Sequence, residues 1–577
     1  MRGVGAALGI AMALGACGQA KEPAPQPRAA APAAEPAVGI HTEGGYVTSD
    51  ACADCHEATH ASWHRSFHRT MTQVPSATSI LGRFDGEPLD AKGHYRAFLR
   101  DGQYVVTQPV PGGRVVSSPV ALVTGSHHMQ VYWVQGEREA LEAFAFAYLL
   151  PEQRWVPNEW TLLRPPERAD ALAGDRVEAV YTWNRVCVKC HAVDGNPGFD
   201  AAAGRVESTV AQLGIACEAC HGPAAAHVEK QRARAAQGVM PKEDGLGDDT
   251  IADPREGGAA AASEVCAQCH SISIFHDDDA WVAHGRDAPP PAPVSAWGRV
   301  IRHPVREHGP WTDALLDADP DFFPQRYWND GEVRVSGREY NGMLESACAA
   351  SDDFGCTTCH RMHESELDVD GRPWNDGQLK QGVLADEPCA RCHADVAADP
   401  TAHTHHPLGS SGSACSNCHM PHTTYGLLGA IRSHTITSPR VDVSQTTGRP
   451  VACNLCHLDR SLRWTADALA RWYGQPDVVD APDDGPAAAR WMVAGDAGQR
   501  ALLAWHLGWA PALAASSAPW APSLLDAAAT DPYPAVRLIA ERARRAHPAE
   551  PSADALDPAW LASLLEHRDL RPVRLAE

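Results

Sequence analysis

Eight copies of one short motif constrain this chain more than any other feature. Each copy has two cysteines separated by two residues and followed at once by a histidine, and together they use sixteen of the eighteen cysteines. We number the motifs 1 to 8 in chain order. Their cysteines are Cys52 and Cys55, Cys187 and Cys190, Cys217 and Cys220, Cys266 and Cys269, Cys356 and Cys359, Cys389 and Cys392, Cys415 and Cys418, and Cys453 and Cys456. Their histidines are His56, His191, His221, His270, His360, His393, His419 and His457.

This motif is the attachment site of c-type haem. Two thiols at this spacing bond to the two vinyl groups on one side of a porphyrin, and the adjacent histidine reaches the iron. Zinc sites need two further ligands and do not require a histidine after every cysteine pair. A disulfide framework spreads its cysteines over loops, and a thioredoxin-like pair occurs once. The sequence therefore predicts eight covalently attached haem c groups, with one motif histidine on each iron.

The remaining histidines indicate the second axial ligands. Of the 29 histidines, 21 lie outside the motifs, and 18 of these fall between residues 41 and 434. Methionine is the usual alternative ligand and raises the reduction potential, but this stretch holds only six methionines. We therefore expect two histidines on each iron, low reduction potentials, and eight low-spin haems.

Two local patterns bear on these ligands. Motif 1 begins a ladder of His56, His60, His64 and His68, which would share one face of a helix. His68 would then lie too far along the helix to bind the iron of motif 1, and we expect it to serve a neighbouring haem. His60 and His64 could instead be solvated or bond a haem propionate. His457 has no histidine in the forty residues that follow it, so the haem of motif 8 is the first place to look for an open iron, unless a distant upstream histidine binds it.

The first residues are typical of an exported lipoprotein. Residues 1–17 have a basic start, an apolar run and small residues before Cys17, which predicts a signal peptide and lipidation of that cysteine. An ordinary signal peptide with an incidental cysteine is the alternative. Residues 18–45 are rich in Ala and Pro, as expected of a tether. The predicted location is the periplasmic face of a membrane or the outer-membrane surface, with the protein held by its lipid.

The motifs also divide the chain. They define a motif region, residues 46–460, in which residues 80–165 carry β-rich runs and a hairpin signal at Asp101-Gly102. Residues 461–577 have helical spacing and resemble HEAT repeats, with a break at residues 531–534. The predicted fold class is mainly α with extensive loops: a multihaem cytochrome c domain with a small inserted β-sheet and a C-terminal α-helical, repeat-like domain.

The motif contexts resemble a known family. The stretches "YVTSDACADCHEATHASWHRSFHRTM", "WNRVCVKCH", "GIACEACHGPAAAH" and "SGSACSNCHMPHTTYGLLGAIRSH" are similar to bacterial multihaem cytochromes with doubled C-x-x-C-H motifs, related to the tetrahaem cytochromes of ammonia oxidisers. The resemblance covers residues 46–460. It implies distal-ligand candidates at His68, His128 (or His127), His227, His403, His406, His422 and His434. His363 could coordinate another iron or bond a propionate.

The function classes can be narrowed further. The net charge of -23 argues against nucleic acid as a partner and favours other redox proteins or cytochromes. We expect an electron conduit; the alternative is an oxidoreductase of small nitrogen or sulfur compounds with one open haem iron, and a filament-forming cytochrome is a third class. No C-x-x-C-K motif of the nitrite-reductase type occurs. Cys348, the eighteenth cysteine, is expected to be a free thiol that is inert, binds an iron or reacts with sulfur compounds.

Overall fold

Short helices and loops carry the eight motifs, and an antiparallel sheet lies between motifs 1 and 2. The structure is a computed structural model that describes residues 37–110, 112–136, 139–161, 182–239, 248–335, 337–364, 368–548 and 556–571. The predicted signal peptide, Cys17 and most of the predicted tether lie outside these residues, so they stay predictions. Within the described residues, no helix combines the length and the apolar character needed to cross a membrane.

The helices of the motif region are mostly one to three turns long. They are Asp50–Ala53, Glu57–His64, Val188–His191, Cys217–His221, Ala225–Ala236, Gly258–His270, Asp278–His284, Pro310–Ala318, Phe322–Arg326, Glu339–Glu345, Cys356–Cys359, Glu387–Ala390, Ala394–Ala398, Pro400–Thr404, Cys415–His419, Val441–Thr447 and Ala452–Cys456, with a π-helical turn at Trp183–Cys187. Single 3-10 turns occur at Glu43–Gly45, Asn158–Trp160, Val294–Ala296, Ala347–Ala350, Val383–Ala385 and Ser411–Ser413. Every motif lies in or next to one of these short helices.

The sheet has eight antiparallel strands. In chain order they are β1 (Thr72–Gln73), β2 (Asp85–Pro88), β3 (Arg96–Arg100), β4 (Gln103–Pro109), β5 (Val115–Thr124), β6 (Met129–Gln135), β7 (Leu141–Leu149) and β8 (Arg154–Pro157). Strands β2 to β8 pair in chain order, and β1 pairs with β5. The β3–β4 hairpin turns at Asp101 and Gly102, which both have positive φ. This is the geometry that an Asp-Gly pair favours in a two-residue hairpin.

Both faces of the sheet are covered at β6, because its consecutive residues Met129 to Val134 are all buried and successive side chains of a strand point to opposite faces. Val131 and Trp133 on β6 pack in a cluster with Val188 of motif 2. Tyr132 and Val134, on the opposite face, pack in a second cluster with aromatic residues of β7. One face of the sheet therefore supports a motif directly.

Smaller two-stranded ribbons brace the loops between the motifs. The paired strands are Gly39–Ile40 with Thr209–Val210, Ala192–Val193 with Gln212–Leu213, Phe199–Asp200 with Arg205–Val206, Ser273–Phe275 with Gly298–Val300, Asp368–Val369 with Arg372–Pro373, and His422–Tyr425 with Gly429–Arg432. The first of these pairs is parallel, and it joins the start of the described chain to the stretch before motif 3.

The histidine ladder does not form one continuous helix. The helix ends at His64, and His68 lies beyond it. The chain turns here because the carbonyl of His68 accepts a hydrogen bond of 3.0 Å from the backbone N–H of Ile215. Trp63 secures the same junction by donating its indole N–H to the carbonyl of Ile215 at 2.9 Å. The first residues of the ladder therefore lie on the helix, while His68 lies beside the stretch before motif 3.

Seven helices follow motif 8 in the part of the chain that the structure describes. They are α1 (Leu462–Tyr473), α2 (Ala487–Ala494), α3 (Ala497–His506), α4 (Ala510–Ala515), α5 (Ala521–Ala528), α6 (Pro534–Arg544) and α7 (Pro558–Glu566). Helices α5 and α6 flank the break at residues 531–534, and Pro534 occupies the first turn of α6, where its missing N–H costs no hydrogen bond.

The helices after motif 8 share one hydrophobic core with the motif region. Leu455 and Leu458 of motif 8, Met129 and Leu149 of the sheet, and residues of α1 to α7 belong to a single apolar cluster. Arg542 on α6 also donates to the carbonyl of Leu428 at 2.6 Å. The packing therefore continues across residue 460, where the sequence marks a boundary.

Candidate haem sites

Each motif winds through about one helical turn. The backbone N–H of the motif histidine donates to the carbonyl of the first cysteine, at 2.9 Å in motif 1, 2.9 Å in motif 5 and 2.8 Å in motif 8. Because a helical turn spans 3.6 residues, this bond brings the two thiols and the imidazole of a motif close together. The local sequence alone is enough to build this half of each site.

The motifs open onto one continuous, partly open cavity of about 4940 Å³. Fifteen of the sixteen motif cysteines line it, the exception being Cys456. A site for a small ligand usually has a volume of about 300 to 1,000 Å³. The cavity therefore has room for several large prosthetic groups that lie next to one another.

Six motif histidines face a second histidine, and five of the six, all except His457, line this cavity. The ring centroids are 6.2 Å apart for His56 and His227, 6.4 Å for His221 and His363, 6.4 Å for His270 and His68, 6.3 Å for His360 and His434, 6.1 Å for His419 and His403, and 5.9 Å for His457 and His406. Five pairs have ring planes inclined by 12° to 27°, and the planes of His270 and His68 are nearly perpendicular, at 84°.

These separations suit an iron between the two rings. A metal–imidazole bond is about 2 Å long, so the centroids of two rings on one metal would be roughly 6 Å apart. Rings packed directly against each other would be closer, as are those of His127 and His128, at 4.0 Å. The residues present therefore fit haem c with two axial histidines at motifs 1, 3, 4, 5, 7 and 8.

Hydrogen bonds at Nδ1 leave Nε2 of several of these rings available for a metal. The Nδ1 atoms donate to backbone carbonyls in five rings: His221 to Ala252 (2.9 Å), His360 to Gly377 (2.8 Å), His419 to Thr437 (3.1 Å), His434 to Arg432 (3.1 Å) and His406 to Thr404 (2.6 Å). Histidines that bind metals usually make such a bond, because it fixes the tautomer and the ring orientation.

Electrostatics favour the neutral imidazoles that a metal requires. Burial lowers the pKa of His68, His360 and His363 to about 4 in each case. Neighbouring histidines lower these pKa values further, because two nearby imidazolium ions would repel each other. These rings are therefore uncharged at neutral pH and can act as ligands.

Motifs 2 and 6 differ from the other six. At motif 2, Nδ1 of His191 lies 3.4 Å from Oγ1 of Thr72 on β1. At motif 6, His393 and Cys392 are exposed. In the part of the chain that the structure describes, no histidine ring faces His393 at the distance found in the six pairs.

Two of the distal candidates implied by the family resemblance lie elsewhere. His128 stacks on His127 and meets Tyr425 edge-on. His422 packs among Trp505, His506 and Trp509 of the C-terminal helices, with ring centroids 4.7 to 5.1 Å away. The aromatic packing holds both rings away from the motif histidines, so this geometry does not support them as partners of the motif histidines. His60 and His64 contact each other, with centroids 6.0 Å apart.

The structure also adds residues to the site. His363, whose role the sequence left open, faces His221, and its position just after motif 5 was the available signal. Two carboxylates contact histidines of the facing pairs: Glu339 bonds His270 and Asp248 bonds His227, each at 2.9 Å. No sequence pattern pointed to either carboxylate.

Cys348 lies in a 3-10 turn and lines the cavity.

Contacts between cysteines of different motifs give the order of the motifs in space. Cysteines of different motifs lie next to each other in four places: Cys52 and Cys217 (motifs 1 and 3), Cys190 and Cys269 (motifs 2 and 4), Cys266 and Cys356 (motifs 4 and 5), and Cys389 and Cys415 (motifs 6 and 7). Cysteines of motifs 3 and 4, 5 and 6, and 7 and 8 are also near neighbours: Cys220 lies near Cys266, Cys359 near Cys389, and Cys453 near Cys418. The motifs therefore form the row 1–3–4–5–6–7–8, with motif 2 beside motif 4.

The repeated attachment motifs, the paired histidines and the shared cavity define a multihaem c-type cytochrome, a class of proteins that carries out electron transfer. A family model described as "Cytochrome c554 and c-prime" matches residues 158–222. No curated protein matches the chain.

Two solved structures are similar to this chain. One is the outer cell wall cytochrome OcwA, with 16% sequence identity, coverage of 87% of this chain and 99% of that chain, and a TM-score of 0.48. The other is the octaheme sulfite reductase MccA of Wolinella succinogenes, with 14% identity, coverage of 68% of this chain and 56% of that chain, and a TM-score of 0.26.

Proposed function

We propose that this chain is an exported octahaem cytochrome that conducts electrons along its branched row of motifs. The six facing histidine pairs carry this proposal. An iron held by two histidines has no free position for a substrate, so it exchanges electrons without exchanging ligands. Most of the row therefore suits transport rather than catalysis.

The row reaches the surface at two places. Among the motif cysteines, only Cys55 of motif 1 and Cys392 of motif 6 are exposed. We propose these two motifs as the points at which electrons enter and leave. Since the net charge of the chain is -23, suitable partners are redox proteins with a basic docking patch.

Purified oxidised holoprotein tests this proposal. Its mass should exceed that of the processed polypeptide by eight haem groups, and electron paramagnetic resonance should show at least six low-spin irons. Fewer than eight haems, or more than two high-spin irons, would contradict the octahaem conduit.

The lipid anchor is a separate part of the proposal. Lipidation of Cys17 would hold the protein at a membrane through its Ala- and Pro-rich tether. A Cys17→Ser variant should move from the membrane fraction to the soluble exported fraction, with its haem content unchanged. Continued membrane attachment of the variant would show that Cys17 is not the anchor.

A second candidate function is reduction or oxidation of a small nitrogen or sulfur compound at motif 6. The exposure of His393, without a facing histidine among the described residues, favours this site over the six paired ones. Cyanide should then convert one high-spin iron to low spin. A Cys389→Ser/Cys392→Ser variant, which cannot attach this haem, should lose that response and contain seven haems. An unchanged response to cyanide in this variant would exclude motif 6 as the open site.

A further inference from the structure

The axial histidines differ in the acceptor to which their Nδ1 atoms donate a hydrogen bond. Five of them donate to uncharged backbone carbonyls, as described above. His270 of motif 4 and His227 opposite motif 1 instead bond a carboxylate oxygen, each at 2.9 Å. A hydrogen bond to an ionised acceptor is roughly twice as strong as one to a neutral acceptor. These two rings therefore carry more electron density than the others.

The two carboxylates are not equivalent. Asp248 shares its charge with Lys230, whose ammonium lies 2.9 Å away, and with the side chains of Gln231 and Thr250. Glu339 has no ion pair with lysine or arginine among the described residues. Its second oxygen accepts from the backbone N–H of Gly337 at 3.1 Å. The negative charge of Glu339 is thus directed mainly at His270.

The surrounding structure holds Glu339 in this position. Glu339 is the first residue of its helix, where the helix dipole stabilises a negative charge. The same helix is tied to the segment after motif 4, because the side-chain oxygen of Asn341 accepts from the backbone N–H of Ile272 at 2.7 Å. The side chain of Glu339 is 20% exposed, and that of His270 is 48% exposed, so the carboxylate is the more buried member of the pair.

We propose that Glu339 is a positioning residue that makes the haem of motif 4 a low-potential branch point of the row. The inference rests on the proposed function, since it requires haem at motif 4. A more basic axial histidine stabilises ferric over ferrous iron. The haem would supply the one-electron transfer between its neighbours, and His270 would keep its Nδ1 proton on the hydrogen bond to Glu339 throughout, so that no proton would be exchanged. Motif 4 contacts motifs 2, 3 and 5, so its potential controls how electrons divide among them.

The orientation of the rings provides a spectroscopic label for this haem. The planes of His270 and His68 cross at 84°, whereas those of the other five pairs are within 27° of parallel. Parallel imidazoles donate into the same iron d orbital and split the d levels, while perpendicular imidazoles leave two levels nearly equal in energy. The low-spin signal of motif 4 should therefore be the most axial of the set.

A Glu339→Gln variant of the holoprotein tests the proposal. The amide oxygen can still accept from His270, but the charge is removed. The axial signal reports the ferric haem of motif 4 in a potentiometric titration followed by electron paramagnetic resonance. At a fixed potential, the ratio of ferrous to ferric iron at this haem should rise about tenfold, which corresponds to a reduction potential about 59 mV higher for one electron. The other signals should not move. Asp248→Asn is the matched control and should shift the signal of motif 1 less, because Lys230 already compensates Asp248.

The outcomes separate this inference from the proposed function. Eight haems with an unchanged potential for the axial signal would overturn the role of Glu339 and leave the conduit intact. A wild-type protein that carries no haem at motif 4 would instead refute the octahaem proposal. If Glu339→Gln fails to fold, Glu339→Asp keeps the charge at a greater distance from His270 and should give a smaller rise of the same sign. A potential that stays unchanged or falls in Glu339→Asp would also overturn the proposal.

Discussion

Three histidines close together in the chain allow a sharp test of the ligand assignments. His403 faces His419 of motif 7, and His406 faces His457 of motif 8. His405, between them, is exposed and stacks on Trp472 with ring centroids 4.5 Å apart. The three residues have the same chemistry and lie within four positions of one another, so we expect their effects on the haems to differ through the facing pairs.

We predict that His403→Ala and His406→Ala will each convert one iron from low to high spin. With eight haems in the chain, the change is one-eighth of the total iron, on top of the wild-type background. His405→Asn should add no high-spin iron. Asparagine is chosen because His405 has a φ of 57°, a left-handed conformation that asparagine tolerates.

Integrated electron paramagnetic resonance of the oxidised proteins measures these fractions. Added imidazole should restore the low-spin signal in the two alanine variants, because it can occupy the position left by the side chain. The reasoning is refuted if His406→Ala leaves the high-spin fraction unchanged, or if His405→Asn raises it by one-eighth.

The remaining predictions concern stability and its dependence on pH. Arg500 and Asp531, both 1% exposed, form a two-bond ion pair, so Asp531→Asn should lower the free energy of unfolding by about 3 kcal/mol in chemical denaturation. Asp526→Asn removes the charge from an exposed pair with Arg544 and should lower the free energy of unfolding by less than about 1 kcal/mol. Equal decreases in the two variants would contradict this prediction. Burial lowers the pKa of His506 to about 3, so the unfolded chain binds a proton between pH 6.5 and 3 that the folded protein does not. The free energy of unfolding should therefore decrease as the pH is lowered from 6.5 to 3. His506→Phe should reduce this slope by up to about one proton; an identical slope would show that other groups cause it.

The sequence determined the covalent half of each haem site. Two cysteines and a histidine at this spacing are brought together by a single helical turn, and a turn needs no distant residue. The Asp-Gly hairpin and the break before Pro534 could be predicted for the same reason, since they depend on the conformational preferences of a few neighbouring residues.

The opposite half of the six paired sites was decided by the tertiary structure. His68, which belongs to the ladder of motif 1, meets His270 of motif 4, because the helix ends at His64 and the chain then follows the strands before motif 3. The sequence marked motif 8 as the site to examine for an open iron, yet His406 from far upstream faces His457. A distal ligand only has to reach a position in space, so spacing along the chain does not constrain it.

Packing likewise separated similar histidines into different roles. His422 and His434 follow the same motif, but His434 faces His360 while His422 lies among the tryptophans of the C-terminal helices. From the sequence alone both residues are distal-ligand candidates. They cannot be told apart there, because the helices that enclose His422 come from a later part of the chain. Residue type and local spacing thus determined where the attachment motifs lie, and only the folded core decided which histidines face them.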